Sequence, residues 1–186
     1  LEGRLAGGEY PPAEDTFFLA DHISGERGTA ALDIGSGSGY LTMLLCGNFS
    51  LVVGTDVDFC ALSGQTYRTP NLVCCHGADA LNCSFDLIVC NLPYLATDGI
   101  SDVSTDGGRG GLEVPQRIID TVPRCLSDTG RFLFVTSSLS DYGGLIRHCQ
   151  RLGMSASVVA KKRLFFEELI LIRAEKLPAQ ARPCRL

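Results

Sequence analysis

Apolar residues along this chain come in short runs without a helical period, separated by glycines or polar breaks, which is the pattern of buried strands. Residues 30–34 (AALDI), 51–56 (LVVGTD), 71–76 (NLVCCH), 85–91 (FDLIVCN) and 130–136 (GRFLFVT) predict five strands. Residues 155–161 and 168–173 predict two more, with Lys161-Lys162-Arg163 at the start of a solvated turn between them. Helical stretches fall between the runs, at 40–46, 57–67, 113–126 and 139–152. A further short helix opens at Glu14-Asp15-Thr16 and carries Phe17, Phe18, Leu19 and Ile23. Strands alternating with helices predict an α/β fold with a mostly parallel sheet. Residues 10–174 read as one domain, and 1–9 and 175–186 as flexible termini. Residues 95–112 form a long loop with Asp98, Asp102, Asp106 and the run Gly107-Gly108-Arg109-Gly110-Gly111. Loops beyond about 12–15 residues inside a domain tend to be functional. This one is expected to cover a substrate, the alternative being a disordered insertion.

Composition narrows the class. A length of 186 residues fits a single domain. The net charge of −5 argues against a general nucleic-acid binder, which usually shows a basic face. There are nine cysteines with no C-x-x-C spacing and three isolated histidines, which argues against a zinc site. The odd cysteine count and the placement in apolar runs predict reduced, buried thiols in a cytosolic or nuclear protein. No apolar run approaches 18 residues, so no membrane association is expected. The mean hydropathy of +0.16 is high for a soluble monomer and points to apolar surface covered by a partner.

Two stretches carry candidate chemistry. The first is Asn91-Leu92-Pro93-Tyr94 at the end of the fourth predicted strand, where open α/β sheets bind ligands. The Asn91 amide and the backbone carbonyls of Asn91 and Leu92 supply acceptors, Pro93 forces Leu92 into an extended shape, and Tyr94 offers a flat face. This cluster suits a planar amino group. The second is Gly35-Ser36-Gly37-Ser38-Gly39, between the first strand and a helix, with Asp33 two residues before it. A dinucleotide fingerprint needs a glycine at position 40, where Tyr stands, so the turn lets a ligand approach the backbone closely without requiring a pyrophosphate. Asp56 ends the second strand, 21 residues after Gly35, a separation that suits a ribose diol; the bland alternative is a helix N-cap. Asp79 is an adenine-edge acceptor or a turn cap, with Ala80 beside it. Thr16 is part of a capped helix, the reading that pattern alone favours, or of a lid over a ligand.

The combination YPPAEDTFFLADHI, LDIGSGSGYLT, GTDVD, CNLPYL and GGRGGLEVPQRIID, over about residues 10–174, resembles the HemK-type glutamine methyltransferases, and within them the short eukaryotic and archaeal branch. The resemblance implies a Rossmann-like class I methyltransferase fold, a seven-stranded mostly parallel sheet with helices on both faces. It implies S-adenosyl-L-methionine as cofactor and the Gly-Gly-Gln glutamine of a class I peptide release factor as substrate. It also implies a small zinc-binding activator as partner. Carried over, Asp33, Gly35 and Gly37 line the methionine part of the cofactor, and Asp56 holds its ribose. Asp79 and Ala80 meet the adenine, and Thr16 closes over the site. Asn91, Leu92, Pro93, Tyr94 and Leu95 bind the substrate amide, with Asn91 also near the cofactor and 91–94 as the catalytic set. One departure stands out: the family usually reads Asn-Pro-Pro-Tyr, and Leu92 replaces the first proline, which predicts a less rigid loop.

On this resemblance the Asn91 side-chain oxygen and the Leu92 carbonyl each accept an N–H of the glutamine amide, aiming its lone pair at the methyl group. The third strand, residues 71–76, falls at the sheet edge in the usual strand order and is expected to pair with the activator. Alternatives are a protein lysine methyltransferase, an N6-adenine nucleic-acid methyltransferase, a nicotinamide oxidoreductase, and a cofactor-binding protein that has lost transfer. A cytoplasmic location is expected, with the nucleus also compatible.

Overall fold

The computed structural model describes residues 11–97 and 105–178. The central strands of the sheet are apolar on both faces, so they must be covered twice. Gly28–Ile34 (β1), Phe49–Asp56 (β2), Leu72–Cys74 (β3), Phe85–Asn91 (β4), Leu126–Ser137 (β7), Met154–Arg163 (β8) and Glu168–Lys176 (β9) form one sheet in the order β3-β2-β1-β4-β7-β9-β8. Pairing is parallel from β3 through β7 and antiparallel around β9. Leu95–Ala96 (β5) and Asp106–Gly108 (β6) make a separate two-stranded ladder.

Alternate residues face opposite layers. Leu32, Ile34, Ile88, Cys90, Phe132 and Phe134 point to Glu113–Cys125 (α4) and Tyr142–Arg151 (α5). Ala31, Leu87, Val89, Leu133 and Val135 point to Glu14–Ile23 (α1) and Tyr40–Cys46 (α2). The chain runs outward from β1 to β3 and then returns to β4 on the other side of β1. That reversal opens a crevice at the carboxyl ends of β1 and β4, where the glycine turn and Asn91 lie.

Several expectations change. The helix over 57–67 contracts to Phe59–Ser63 (α3), capped by Asp58 and stopped at Gly64. Residues beyond it wind over the glycine turn: the Tyr67 N–H donates to the Ser38 carbonyl and Gln65 Nε2 to Ser36 Oγ. A Cβ on Gly39 would sit 2.3 Å from the Tyr67 carbonyl, so this cover requires glycine there. The third strand shortens to three residues, since Asn71 adopts a left-handed φ of 58°. The helix before β7 ends at Cys125, and α5 starts at Tyr142, where Asp141 caps it. Lys161, Lys162 and Arg163 belong to β8 instead of a turn, and β9 continues to Lys176, inside the expected tail. Of the cysteines only Cys90, Cys125 and Cys149 are buried, while Cys60, Cys74 and Cys83 are exposed; Cys184 lies outside the described residues. So do the expected loose segment 1–9, the tail from 179, and Asp98 and Asp102 of the long loop. Among the described residues no helix is long and apolar enough to cross a membrane, and no cluster of His, Cys, Asp and Glu could hold a metal ion.

Candidate functional site

Asp33 and Asn91 share one face of neighbouring strands. Asp33 pairs with Val89, two residues before Asn91, so both side chains point to the α1–α2 layer. From strand rise and spacing their Cα atoms are about 8 Å apart. Asp33 is fully buried, and Thr42 Oγ1 of α2 donates to its Oδ2 at 2.6 Å. Burial pushes the Asp33 carboxyl up from 3.8 to about 7, an effect that the Thr42 hydrogen bond only partly offsets. Among the described residues, neither Asp33 Oδ1 nor Asn91 Oδ1 has a hydrogen-bond partner, and both are buried. Orphaned buried acceptors are costly, and two of them flanking one crevice call for donors beyond the described residues.

The glycine turn between them is shaped by its own backbone. Gly35, Gly37 and Gly39 all have positive φ. The Gly35 and Ser36 N–H groups donate to the Thr55 carbonyl, and Gly37 N–H donates to Asp56 Oδ2 at 3.0 Å. Asp56 Oδ1 accepts from Asp58 N–H. Asp56 is therefore not the cap of α3, a job done by Asp58; it holds the turn and keeps spare lone pairs on both oxygens. Above the turn there is room: a Cβ on Gly35 would meet no non-adjacent described atom within 4 Å.

On the other side of the crevice, Asn91 Nδ2 donates to Thr16 Oγ1 at 3.5 Å, a long and weak bond. Thr16 thus lies against Asn91, and no described side chain caps the start of α1. The Tyr94 hydroxyl donates to Asp15 Oδ2 at 3.2 Å, and Asp15 Oδ1 accepts from Thr16 N–H at 2.7 Å. Lys162 of β8 donates to Glu14 Oε2 at 2.6 Å. Three consecutive residues of α1 therefore hold three different segments: Glu14 holds the β8 edge, Asp15 holds Tyr94 and Thr16 holds Asn91. Asp15 and Glu14 carry this role although the motif reading singled out only Thr16; acids in a first helical turn read as dipole partners.

Leu92, which stands where the family usually has proline, is anchored on both sides. Its side chain is 2% exposed in the α4 layer, and its N–H donates to the Val135 carbonyl at 3.2 Å. Proline could not make that bond. The β4–β7 ladder gains one rung there. Pro93 is buried, Tyr94 half-buried, and Leu95 exposed. The described part of the long loop backs this segment. Leu95 N–H donates to Thr105 and Thr97 N–H to Gly108. A Cβ on Gly107 would sit 2.7 Å from the Pro93 carbonyl, and one on Gly111 2.3 Å from that of Tyr94. The glycine run is a backbone-to-backbone wedge under residues 93–97.

Asp79 turns elsewhere. Arg124 of α4 donates to its Oδ1 at 3.1 Å, and His76 lies 3.8 Å from Oδ2, within a cleft shared with Arg117, Asp120 and Thr121. Ala80 is exposed. The structure brings together Thr16, Asp33, Gly35, Gly37, Asp56 and Asn91 to Tyr94, and leaves Asp79 engaged with α4.

The chain is similar to known methyltransferases. A protein from Methanocaldococcus jannaschii named as an N5-glutamine methyltransferase is 28% identical over 90% of this chain and 92% of its own length. Mouse methyltransferase HEMK2 is 29% identical over 90% of this chain and 89% of its own. The E. cuniculi Mtq2–Trm112 complex, which methylates the eRF1 translation termination factor, contains a chain that superposes with a TM-score of 0.79 at 27% identity, covering 91% of this chain and 99% of that one. The ribosomal protein L11 methylase of Lactobacillus delbrueckii shares the fold, with a TM-score of 0.67 at 16% identity. The family model of the methyltransferase small domain matches residues 14–165, and the chain belongs to that family.

Proposed function

We propose that this chain is an S-adenosylmethionine-dependent N5-glutamine methyltransferase acting on the Gly-Gly-Gln glutamine of a class I peptide release factor. The observation that carries the reading is a pair of acceptors on one sheet face, Asp33 Oδ1 and Asn91 Oδ1, that lack a partner among the described residues and lie on either side of an open glycine turn. The residues fit the cofactor. Asp33, with Oδ1 free of a described partner, would hold the cofactor's ammonium group, whose charge would offset a buried carboxylate. The spare lone pairs of Asp56 suit a ribose diol, and the bare Gly35–Gly37 backbone leaves room for the methionyl chain. Bound there, the cofactor supplies an electrophilic sulfonium methyl group. Asp79 and Ala80 reach an adenine edge only if Asp79 leaves Arg124.

The chain's own residues handle the amide. A glutamine nitrogen is a poor nucleophile because its lone pair is delocalised into the carbonyl. Asn91 Oδ1 and the Leu92 carbonyl each accept one of its N–H groups, which favours a pyramidal nitrogen with its lone pair aimed across the crevice. Both acceptors strengthen as positive charge develops on that nitrogen. Asn91 Nδ2 keeps its bond to Thr16 Oγ1 meanwhile, which orients the amide so that Oδ1 is the atom left to accept. Tyr94, held by Asp15, packs against the amide plane.

The partner is a small activator subunit, zinc-binding and seated on the β3 edge, a placement favoured by what that edge exposes. β3 is three residues long and uncharged, and Val57 and Phe59 stand exposed beside it. The opposite edge strand, β8, is blunted by Lys161, Lys162 and Arg163, as solvent-facing edges commonly are. The test is incubation with radiolabelled S-adenosylmethionine and recombinant release factor, with and without the activator, and mapping of the modified residue. Label on the Gly-Gly-Gln glutamine supports the reading; label on lysine or nucleic acid, or cofactor binding without transfer, sinks it.

A further inference from the structure

At the tip of the β8–β9 hairpin, Phe165 and Phe166 are 91% and 85% exposed and pack only on each other among the described contacts, edge to face at 4.6 Å. Together they present on the order of 300–400 Å² of aromatic surface. That is as large as the biggest apolar patch of many monomers, and such patches tend to mark interaction sites. The hairpin that carries them is rigid. Leu164 N–H donates to the Glu167 carbonyl, and Ser137 Oγ donates to Glu167 Oε2. Ser138 and Glu168 exchange two further bonds, Ser138 N–H to the Glu168 carbonyl and Glu168 N–H to Ser138 Oγ. A mobile loop could tuck these rings away; this one holds them out.

Their position says what they meet. β8 runs parallel to β4, so the tip lies on the rim of the sheet that carries the glycine turn and Asn91. Asn91 is level with Val135, Leu171 and Ala160 across the strands. From there the tip is about five residues up and two to three strands across, so about 20 Å from Asn91. The interval is continuous: Gly111 touches both the Tyr94 carbonyl and Ser140, and the same turn exposes Leu139 before joining Glu167 through Ser137. Lys162 and Glu14 fasten the hairpin to α1, whose next two residues hold Tyr94 and Asn91.

We infer that Phe165 and Phe166 form a docking point for the protein substrate, contacting the apolar surface beside the loop whose glutamine enters the Asn91 pocket. This inference rests on the glutamine methyltransferase reading. A ligand that fills only the amide pocket cannot span about 20 Å, whereas a folded domain presenting a loop does so with its flanking surface. The activator is the other occupant to weigh, and the β3 edge proposed for it is at the far end of the sheet from β8.

The experiment is steady-state methylation of release factor by the chain with its activator, comparing wild type with Phe165→Ser/Phe166→Ser. Both positions project from the hairpin, and a thermal melt checks that the variant is folded. The expected result is a rise of tenfold or more in KM for release factor, with kcat and cofactor Kd unchanged. A Phe165→Leu/Phe166→Leu variant should recover most of the loss. An unchanged KM overturns the inference, and so does a loss confined to kcat. Failure of the serine variant to co-elute with the activator also overturns it, by making the pair an activator contact. If wild type places no methyl group on the release factor glutamine, the functional reading falls first and this inference with it.

Discussion

The two walls of the crevice are built by opposite strategies. The β1–β2 wall is local: a glycine turn shaped by its own φ angles, held at Gly37 by Asp56 at the end of the neighbouring strand and linked through Asp33 to the next helix. The β4–α1 wall is assembled from afar: Thr16 meets Asn91 across 75 residues and Asp15 meets Tyr94 across 79. A local wall suits a ligand whose place is fixed before anything else binds. A wall made by apposing two distant segments can part and close, which a bulky protein substrate requires.

If the walls divide binding from transfer, Asn91→Ala should cost most. Removing one preorganised group at a reacting centre costs about 100- to 1000-fold in kcat. Turnover should fall by that order while calorimetry finds cofactor Kd within about threefold of wild type. Equal losses in both would mean that the division is false.

Asp33→Asn probes the other wall. It should weaken the cofactor by about 10- to 100-fold, the worth of a charge-assisted contact, and spare kcat at saturating cofactor. The same residue sets a pH dependence. Its carboxyl titrates near 3.8 unfolded and about 7 folded, so the folded chain holds a proton that the unfolded one has lost. The resulting stabilisation is complete below the unfolded value and is lost as pH rises through about 7. Cofactor binding runs the other way, since a cation favours the ionised carboxylate. Affinity should rise by roughly tenfold from pH 6 to 8 and binding should release a proton, measurable in buffers of differing ionisation enthalpy. Asp33→Asn should abolish both trends and melt higher than wild type at pH 8.

Asp15 and Tyr94 test whether the distant wall acts as a unit. Asp15→Asn and Tyr94→Phe should each lower kcat about threefold to tenfold, the worth of about 1 kcal/mol, and the double variant should lose little more than either alone. Additive losses would show that the pair is not coupled. The smallest effect is expected from Leu92→Pro. It restores the family's motif and removes the bond to Val135, so denaturant unfolding should show a loss of about 1 kcal/mol with turnover close to wild type.

The local wall was legible in the sequence because its signals are contiguous: DI, then G-x-G-x-G, then a helix. Asn91 was legible for the same reason, as a strand running into a polar amide and a proline. The α1 contacts of Glu14 and Asp15 were not, since a first-turn acid looks the same whether it faces solvent or Tyr94. The helix over 57–67 was overdrawn because its apolar spacing continues past Gly64, while the glycine turn needed a cover more than the helix needed length. Lys161 to Arg163 read as a turn because charge is also how an edge strand avoids pairing. Leu92 looked like a defect because the Val135 carbonyl that rewards its N–H lies 43 residues away.

Glu14, Asp15 and Thr16 touch three different segments from successive positions on one helix. A helix turns by about 100° per residue, so their directions are locked to one another. Replacing any one of them by another amino acid disturbs one attachment. Inserting or deleting a single residue inside α1, just after Thr16, would rotate all three together by about 100° against the packed remainder of the helix, so this stretch of the gene should accept point changes far more readily than changes in length.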